Sequence, residues 1–398
     1  MKESHMPLQS AHIVGLGAVT AYGWGVDATW NGLKSGQTAA RCHAGLGGRF
    51  PDPCWFARVP EPPGESTGTT RYAQAFRAAA EEALDDATRS GWRPGRRVGI
   101  VHATTRGDLE LMRSRYLAWD DLNPRRAYVE QAWTKPAGDV MSRHGFTGPA
   151  IVVSAACSSG LHALTIAQRL LTCGDATDVI VVSADVGFDG EEMRLFASLS
   201  PLIHDSSPFD ACRPFQAGSR GFVLGEGVAA LVLCARPAEQ HYVKLLSTVV
   251  GNDAYHPTSI KPDHEEYLRI AGDALAAANV DASQVCYFSA HASGTAECAK
   301  ADLAMVDYLG PQVRAYGLKP FYGHCMGTAP LLDTVAMAKA YRECSLPVPA
   351  PVAEAHPQFA ASPLRHGDGP TLQVAIGFGG NLSAAVFDRA DHPSRPQH

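Results

Sequence analysis

The stretch PAIVVSAACSSGLHALTIAQRLLTCG (149–174) decides the fold class. Its first half, PAIVVSAACSSG (149–160), is an apolar β-branched run of strand length that breaks into small residues, which predicts a buried strand ending in a sharp turn. Its second half, LHALTIAQRLLTCG (161–174), has apolar residues at 161, 164, 167, 170 and 171 and closes on Gly174, which predicts a helix with a glycine stop. A buried strand feeding a helix is the unit of an α/β protein. Between the two sits Cys157, flanked by Ala155, Ala156, Ser158, Ser159 and Gly160, small residues that permit a tight turn and leave room for a substrate. A thiol there faces a helix N-terminus, whose free N–H groups and dipole favour thiolate over thiol. The layout is that of a nucleophile elbow. Cys157 is therefore expected to be a nucleophile, while the other nine cysteines read as small hydrophobes.

Outward from this stretch the pattern continues. AHIVGLGAVT (11–20), RRVGIVHATT (96–105) and DVIVVSADV (178–186) read as strands, and TTRYAQAFRAAAEEALDDATRSG (69–91) as a helix with a Thr start and a Gly stop. The region 106–147 reads as amphipathic helix and loop with Pro124 and Pro136 as breakers, and GFVLGEGVAALVLCARP (221–237) as two strands around a Gly-x-Gly bend. The second half repeats the order. QVCYFSAHASGT (284–295) matches RVGIVHATTRG (97–107), KPFYGHCMGTAPLLDTVAMAKA (319–340) matches SAACSSGLHALTIAQRL, and TLQVAIGFGGNLSAAVF (371–387) matches GFVLGEGVAALVLC. Three matches in succession predict a duplicated α/β unit with halves 1–237 and 238–398. His291 and His324 then fall at or just beyond strand ends, the edge where open α/β sheets bind ligands. The duplication sets the His324 loop opposite the Cys157 loop, so one thiol and two imidazoles converge. His256, in NDAYHPTS, is expected at the entrance.

Composition narrows the function. The 398 residues are 45% hydrophobic and 19% charged, enough for a large core without disulfides or metals. A net charge of -6 argues against binding nucleic acid through a whole basic face. No window approaches the ~18 consecutive apolar residues of a membrane span, and MKESHMPLQS lacks a signal core. The 10 cysteines are scattered singly with no CxxC pair, which speaks against structural zinc and for reduced thiols in a cytoplasm. GLG (15–17) and GEG (225–227) do not form a dinucleotide fingerprint.

In this order, SAACSSG, RPF…GFVLGEG (213–227), NDAYHPTS (252–259), the HxSGT-like turn at 291–295, KxxxGHxxGxA (319–329) and GFGG (377–380) resemble the decarboxylating β-ketoacyl-carrier-protein synthases of fatty-acid and polyketide biosynthesis. The resemblance spans almost the whole chain. It implies the thiolase fold, duplicated βαβαβαββ halves forming a five-layered αβαβα sandwich. It implies Cys157 as acyl-accepting nucleophile and His291 and His324 as the malonyl-site pair. Lys319 is implied as a positioning residue near His324 with Glu226 as its candidate partner, Phe378 as the residue beside the oxyanion hole and acyl gate, and Thr295 and Gly379 as supporting residues. The implied reaction is decarboxylative condensation of an acyl thioester with a malonyl-type thioester, with no metal or redox cofactor. The implied partners are an acyl carrier protein and a second subunit, identical or chain-length-factor-like; no nucleic acid or membrane span is implied.

Rivals separate by residue. A thiolase needs a second cysteine near the C-terminal Gly motif, where this chain has GFGGNLSAAVF. Priming synthases carry Asn where His324 stands, and chain-length-factor subunits lack the nucleophile. A non-elongating acyltransferase or cyclase, and a scaffolding subunit of a heterodimer, remain as alternatives. Departures from the family pattern flank the site: Ala292-Ser293 after His291, Cys298-Ala299 in place of an Asn-Asp pair, Pro320, Gln216 and Leu382. They point to specialised metabolism rather than housekeeping elongation. For docking an acidic carrier protein, the basic candidates are Arg71 and Arg77, Arg125 and Arg126 in an expected loop, and Arg96 and Arg97.

Overall fold

Ten main strands carry the architecture of the computed structural model, which describes residues 8–64, 69–117, 124–199, 202–236, 238–360 and 362–389. They are β1 (Ala11–Thr20), β2 (Val98–Ala103), β3 (Ala150–Val153), β4 (Asp178–Asp185), β5 (Gly227–Cys234), β6 (Val243–Asn252), β7 (Tyr287–Ser289), β8 (Arg314–Tyr316), β9 (Thr371–Gly377) and β10 (Asn381–Arg389). Across the sheet they lie in the order β8-β7-β9-β10-β6-β1-β5-β4-β2-β3. The five strands before residue 238 and the five after it follow one plan. β2 pairs in parallel with β3 and β4, as β7 does with β8 and β9, and the remaining neighbours are antiparallel. The two groups are not separate sheets. They join where Ala11–Ile13 of β1 pairs with Val243–Leu245 of β6.

The side-chain alternation of a strand explains the layers. Along β4, Val179 and Val181 face one core while Ile180 and Val182 face another. The outward core packs against α1 (Arg71–Arg89) through Tyr72, Phe76 and Ala79. The inward core holds α4 (Ser159–Cys173) and α8 (Ala329–Glu343), whose Leu161, Leu164, Leu331 and Val335 also meet Leu245, Ala375 and Phe387 of the second strand group. On the far face, α6 (Glu265–Ala278) and α7 (Ala296–Leu309) cover Phe288, Leu372 and Val386. The result is helix, strand group, helix, strand group, helix, the two strand groups being halves of one sheet. The glycines of GLG serve close packing: a Cβ on Gly17 would stand 1.9 Å from the carbonyl oxygen of Ala79 in α1.

Several expectations are corrected. Within 221–236 there is one strand, β5 (Gly227–Cys234), in place of two; residues 222–225 before it make isolated bridges to Leu202, His324 and Ala57. A Cβ on Gly225 would lie 2.3 Å from the Tyr322 carbonyl oxygen, so glycine there draws this segment onto the His324 loop instead of into a second strand. Pro124 and Pro136 open helices, Pro124–Glu130 and α3 (Lys135–His144), because a first-turn proline forfeits no helical bond. Between β2 and these lies α2 (Leu109–Leu117), which has no buried residue. All ten cysteines are free. Among the described residues, no helix is long and apolar enough to cross a membrane.

Candidate active site

Cys157 lies in the turn from β3 to α4 and is 5% exposed. The preceding Ala156 takes a left-handed conformation, φ 49°, which turns the chain sharply enough to present the thiol. Gly377, at the end of β9, closes on this turn: a Cβ there would sit 2.5 Å from the Ala155 carbonyl oxygen and 3.2 Å from the Cys157 nitrogen. Phe378 follows directly, half-buried and stacked on Phe196 at 6.0 Å. His291 follows β7, and His324 lies in the loop before α8, bonded through its backbone N–H to the Val223 carbonyl at 2.8 Å. α4 meets that loop where Gly160 faces the Gly327 carbonyl oxygen; a Cβ there would lie 3.1 Å from it.

These elements enclose a cavity of about 330 Å³ lined by Cys157, His291, His324, Phe222, Phe196 and Phe378. The two imidazole rings are 5.7 Å apart with planes at 81°. Nδ1 of His291 accepts the backbone N–H of Ile376 at 3.4 Å, which places the ring proton on Nε2. Nδ1 of His324 is buried with no hydrogen-bond partner among the described residues. Burial holds both rings well below the ordinary histidine range; Lys319 lowers them further, and His324 also lowers His291. The site therefore presents two neutral imidazoles. Lys319 is buried, and its Nζ donates to the His291 carbonyl.

The thiol departs from expectation. Burial pushes Cys157 up to about 12, Lys319 pulls it down and Asp185 pushes it up. Burial outweighs the helix end. Glu226 is not the partner of Lys319. It is buried against Arg71, with Nη1–Oε2 at 2.9 Å, because its oxygens face the backbone N–H groups of Val59, Gly187 and Phe188. Thr295 lines the cavity and caps α7, its Oγ1 accepting the Cys298 N–H at 3.3 Å. Gly379 is exposed in the β9–β10 turn and donates to the Pro257 carbonyl at 2.7 Å. His256 is exposed at the mouth beside Thr258 and Ser259.

Three buried carboxylates escaped the sequence reading. Asp302 accepts the Ala292 N–H at 2.9 Å, bracing the turn that carries His291, and also the Cys298 thiol at 3.3 Å and the Tyr267 hydroxyl at 3.3 Å. Asp333 accepts the Tyr322 hydroxyl, and Asp185 the Thr105 N–H at 2.8 Å. Burial pushes each carboxyl up to about 6. Asp333 left one signal, a lone acid inside the apolar run APLLDTVAMA (329–338). Of the departures, Cys298 lines the cavity, while Gln216 binds the Val352 N–H at 2.7 Å outside it. Of the docking candidates, Arg71 is buried and ion-paired, since the start of α1 is covered by Glu110 and Glu226. Arg77, Arg96 and Arg97 are exposed. The side chains of Arg125 and Arg126 lie outside the described residues, on a helix rather than a loop.

Residues 60–238 match the family described as "Beta-ketoacyl synthase, N-terminal domain" and residues 242–352 its C-terminal domain. A "Putative polyketide beta-ketoacyl synthase 1" of Streptomyces cyaneus is 31% identical over 412 residues, covering 94% of this chain and 97% of its own. A "3-oxoacyl-[acyl-carrier-protein] synthase 2" of Rhizobium meliloti (strain 1021) is 29% identical, covering 83% and 86%. A solved complex of a type II polyketide acyl carrier protein with its ketosynthase matches with a TM-score of 0.83 at 24% identity, covering 97% of this chain and 100% of that one. A ketosynthase in complex with its chain length factor from Xenorhabdus doucetiae gives 0.79 at 21% identity, covering 97% and 100%. At these identities the solved structures share the fold.

Proposed function

Because the chain belongs to the β-ketoacyl synthase family, we propose that it joins an acyl group held on Cys157 to a malonyl-type unit, releasing CO₂. Its relatives are polyketide ketosynthases and 3-oxoacyl-carrier-protein synthases, acyltransferases that form C–C bonds. The observation that carries the residue assignment is the meeting of Cys157 with two neutral imidazoles in one buried cavity.

In the first step the Cys157 thiol gives up its proton as its sulfur attacks the acyl thioester carbonyl, and the donor sulfur leaves as a thiol carrying that proton. The N–H groups of Cys157 and Phe378, on the two segments that Gly377 brings into contact, hold the tetrahedral oxyanion. In the second step a malonyl thioester places its carbonyl oxygen between His291 and His324. Nε2–H of His291 donates to that oxygen. His324 donates from Nε2, because its Nδ1 is buried away from the cavity. Loss of CO₂ leaves an electron pair that the two donors hold as an enolate. The enolate carbon attacks the acyl-Cys157 carbonyl, and the Cys157 thiolate departs as the β-ketothioester forms. Lys319 fixes the His291 backbone and adds to burial in keeping both rings neutral.

We assign the malonyl-type unit, and the acyl donor, to an acyl carrier protein, a reading supported by the solved complex of an acyl carrier protein with its ketosynthase. A second subunit of the same fold, identical or chain-length-factor-like, would pair with the edge strand β3 and cover the exposed side chains Met112, Tyr116, Tyr128 and Trp133. We place the functional halves at 1–237, with the nucleophile, and 238–398, with both histidines, and the enzyme in the cytoplasm, where its free thiols stay reduced. Intact-mass measurement after incubation with a panel of acyl thioesters tests the assignment: one acyl mass is gained by the native chain and none by Cys157→Ala.

A further inference from the structure

Four aromatic rings form a continuous row in the wall of the cavity that holds Cys157. Phe378 stacks on Phe196 at 6.0 Å, with planes at 21°. Phe196 meets Phe222 edge to face at 5.9 Å, and Phe222 meets the ring of His324 edge to face at 4.8 Å. All four rings line the cavity together with Cys157. The row thus runs from the turn after β9 to the loop before α8. Elsewhere the lining is largely polar, with Asp253, His256, Thr258, Ser293 and Thr295. An apolar acyl chain on Cys157 therefore finds its matching surface on the phenyl rings.

Two of these rings are anchored. Phe196 lies in the last turn of α5 (Gly190–Ala197), whose start is capped by Asp189: Oδ1 accepts the N–H groups of Glu191 at 3.0 Å and Glu192 at 3.1 Å. The Phe222 carbonyl accepts the Ile203 N–H at 2.8 Å, and the neighbouring Val223 carbonyl accepts that of His324. Phe196 and Phe222 are 9% and 3% exposed, whereas Phe378 is half-buried. Phe188, Met193 and Leu202 belong to the same apolar cluster and are buried, yet none of the three lines the cavity. Protein interiors pack as densely as organic crystals. A chain that passed between Phe196 and Phe222 would have to displace such side chains.

The cavity itself measures about 330 Å³. At about 30 Å³ for each water-sized group, it takes about eleven heavy atoms, of which a malonyl thioester uses about seven and leaves about four for the acyl group. We propose that the aromatic row restricts this synthase to short acyl groups, of about two to four carbons, and that Phe196 is the residue that sets the limit. This rests on the reading of Cys157 as acyl acceptor and names the substrate class of that site. A dodecanoyl group alone, at about thirteen heavy atoms, exceeds the cavity before any malonyl unit arrives.

The test is competitive loading of the full-length protein by equimolar butyryl-coenzyme A and dodecanoyl-coenzyme A, read by intact mass. The native chain should take up butyryl about 10²-fold faster. Phe196→Ala should raise the ratio of dodecanoyl to butyryl loading by about tenfold. A ratio within one protein is insensitive to how much of that protein is folded, so a merely structural role for Phe196 would not move it. Native loading of both groups at equal rates overturns the size limit. A Phe196→Ala ratio within about twofold of native removes Phe196 as its source. If Phe196→Ala does not fold, Phe196→Leu decides by the same ratio. Acylation of a Cys157→Ala protein, or no acylation of the native chain by either donor, would instead refute the nucleophile assignment on which the proposal rests.

Discussion

The rings of His291 and His324 stand 5.7 Å apart and nearly perpendicular, while the ammonium of Lys319 is bonded to the His291 carbonyl. Two hydrogen-bond donors thereby line one cavity, and burial, aided by the charge of Lys319, keeps them neutral. Removing that charge makes each ring easier to protonate. Lys319→Gln should raise both histidine pKa values. Neutral rings would then be lost at higher pH, and the acid limb of the decarboxylation rate–pH profile should move upward. A profile measured from pH 4 to 8 that keeps its native acid limb would remove Lys319 from this role.

The thiol offers a second pH test. With Cys157 pushed up to about 12, the thiolate fraction below that value grows tenfold per pH unit. Alkylation of the unliganded enzyme at Cys157 by a neutral electrophile should therefore climb about tenfold per unit from pH 7 to 9.5. A plateau above pH 7 would mean that the end of α4 lowers the thiol after all.

Gly377 is a steric prediction. A Cβ there meets the Ala155 carbonyl oxygen at 2.5 Å, and that backbone cannot retreat without moving the Cys157 turn. Gly377→Ala should cost about 1–3 kcal/mol in stability, typical of overpacking. It should slow acyl loading by about 10²-fold, as misplacing a reacting group by an ångström does. Native loading in a folded Gly377→Ala protein would disconnect this contact from the chemistry.

Association should depend on the α2 face. Tyr116 and Tyr128 are 81% and 84% exposed, and β3 is an unpaired sheet edge. Sedimentation of the active protein should report a dimer, or a complex with a second subunit, and Tyr116→Asp with Tyr128→Asp should dissociate it. An active species sedimenting only as the 42.3 kDa monomer would exclude the assembly.

The strands and helices around Cys157 were legible because their signals are local. β-branched runs and the 3.6-residue spacing of 161–171 need no tertiary context, and Gly174 stops its helix in the left-handed conformation the sequence suggested. Cys157, His291 and His324 were legible for the same reason, each sitting at a strand-to-helix turn. The partners of buried charges were not legible. Glu226 and Arg71 are 155 residues apart in sequence, and no periodicity encodes that meeting. The thiol missed in direction because a sequence shows the helix end beside Cys157 but not the loss of water around it. The place of a strand across the sheet was not legible either: β4 is interior, paired with β2 and β5, while β3 lies at the sheet edge beyond β2.

The central claim is that acyl loading belongs to Cys157 and decarboxylation to the two imidazoles. It is tested most directly by CO₂ release from a malonyl thioester catalysed by His324→Ala. Removing one of two donors to the enolate oxygen should slow release by about 10²–10³-fold, while Cys157 still takes up an acyl group. A His324→Ala protein that releases CO₂ at the native rate would contradict the account and leave a non-elongating acyltransferase in its place.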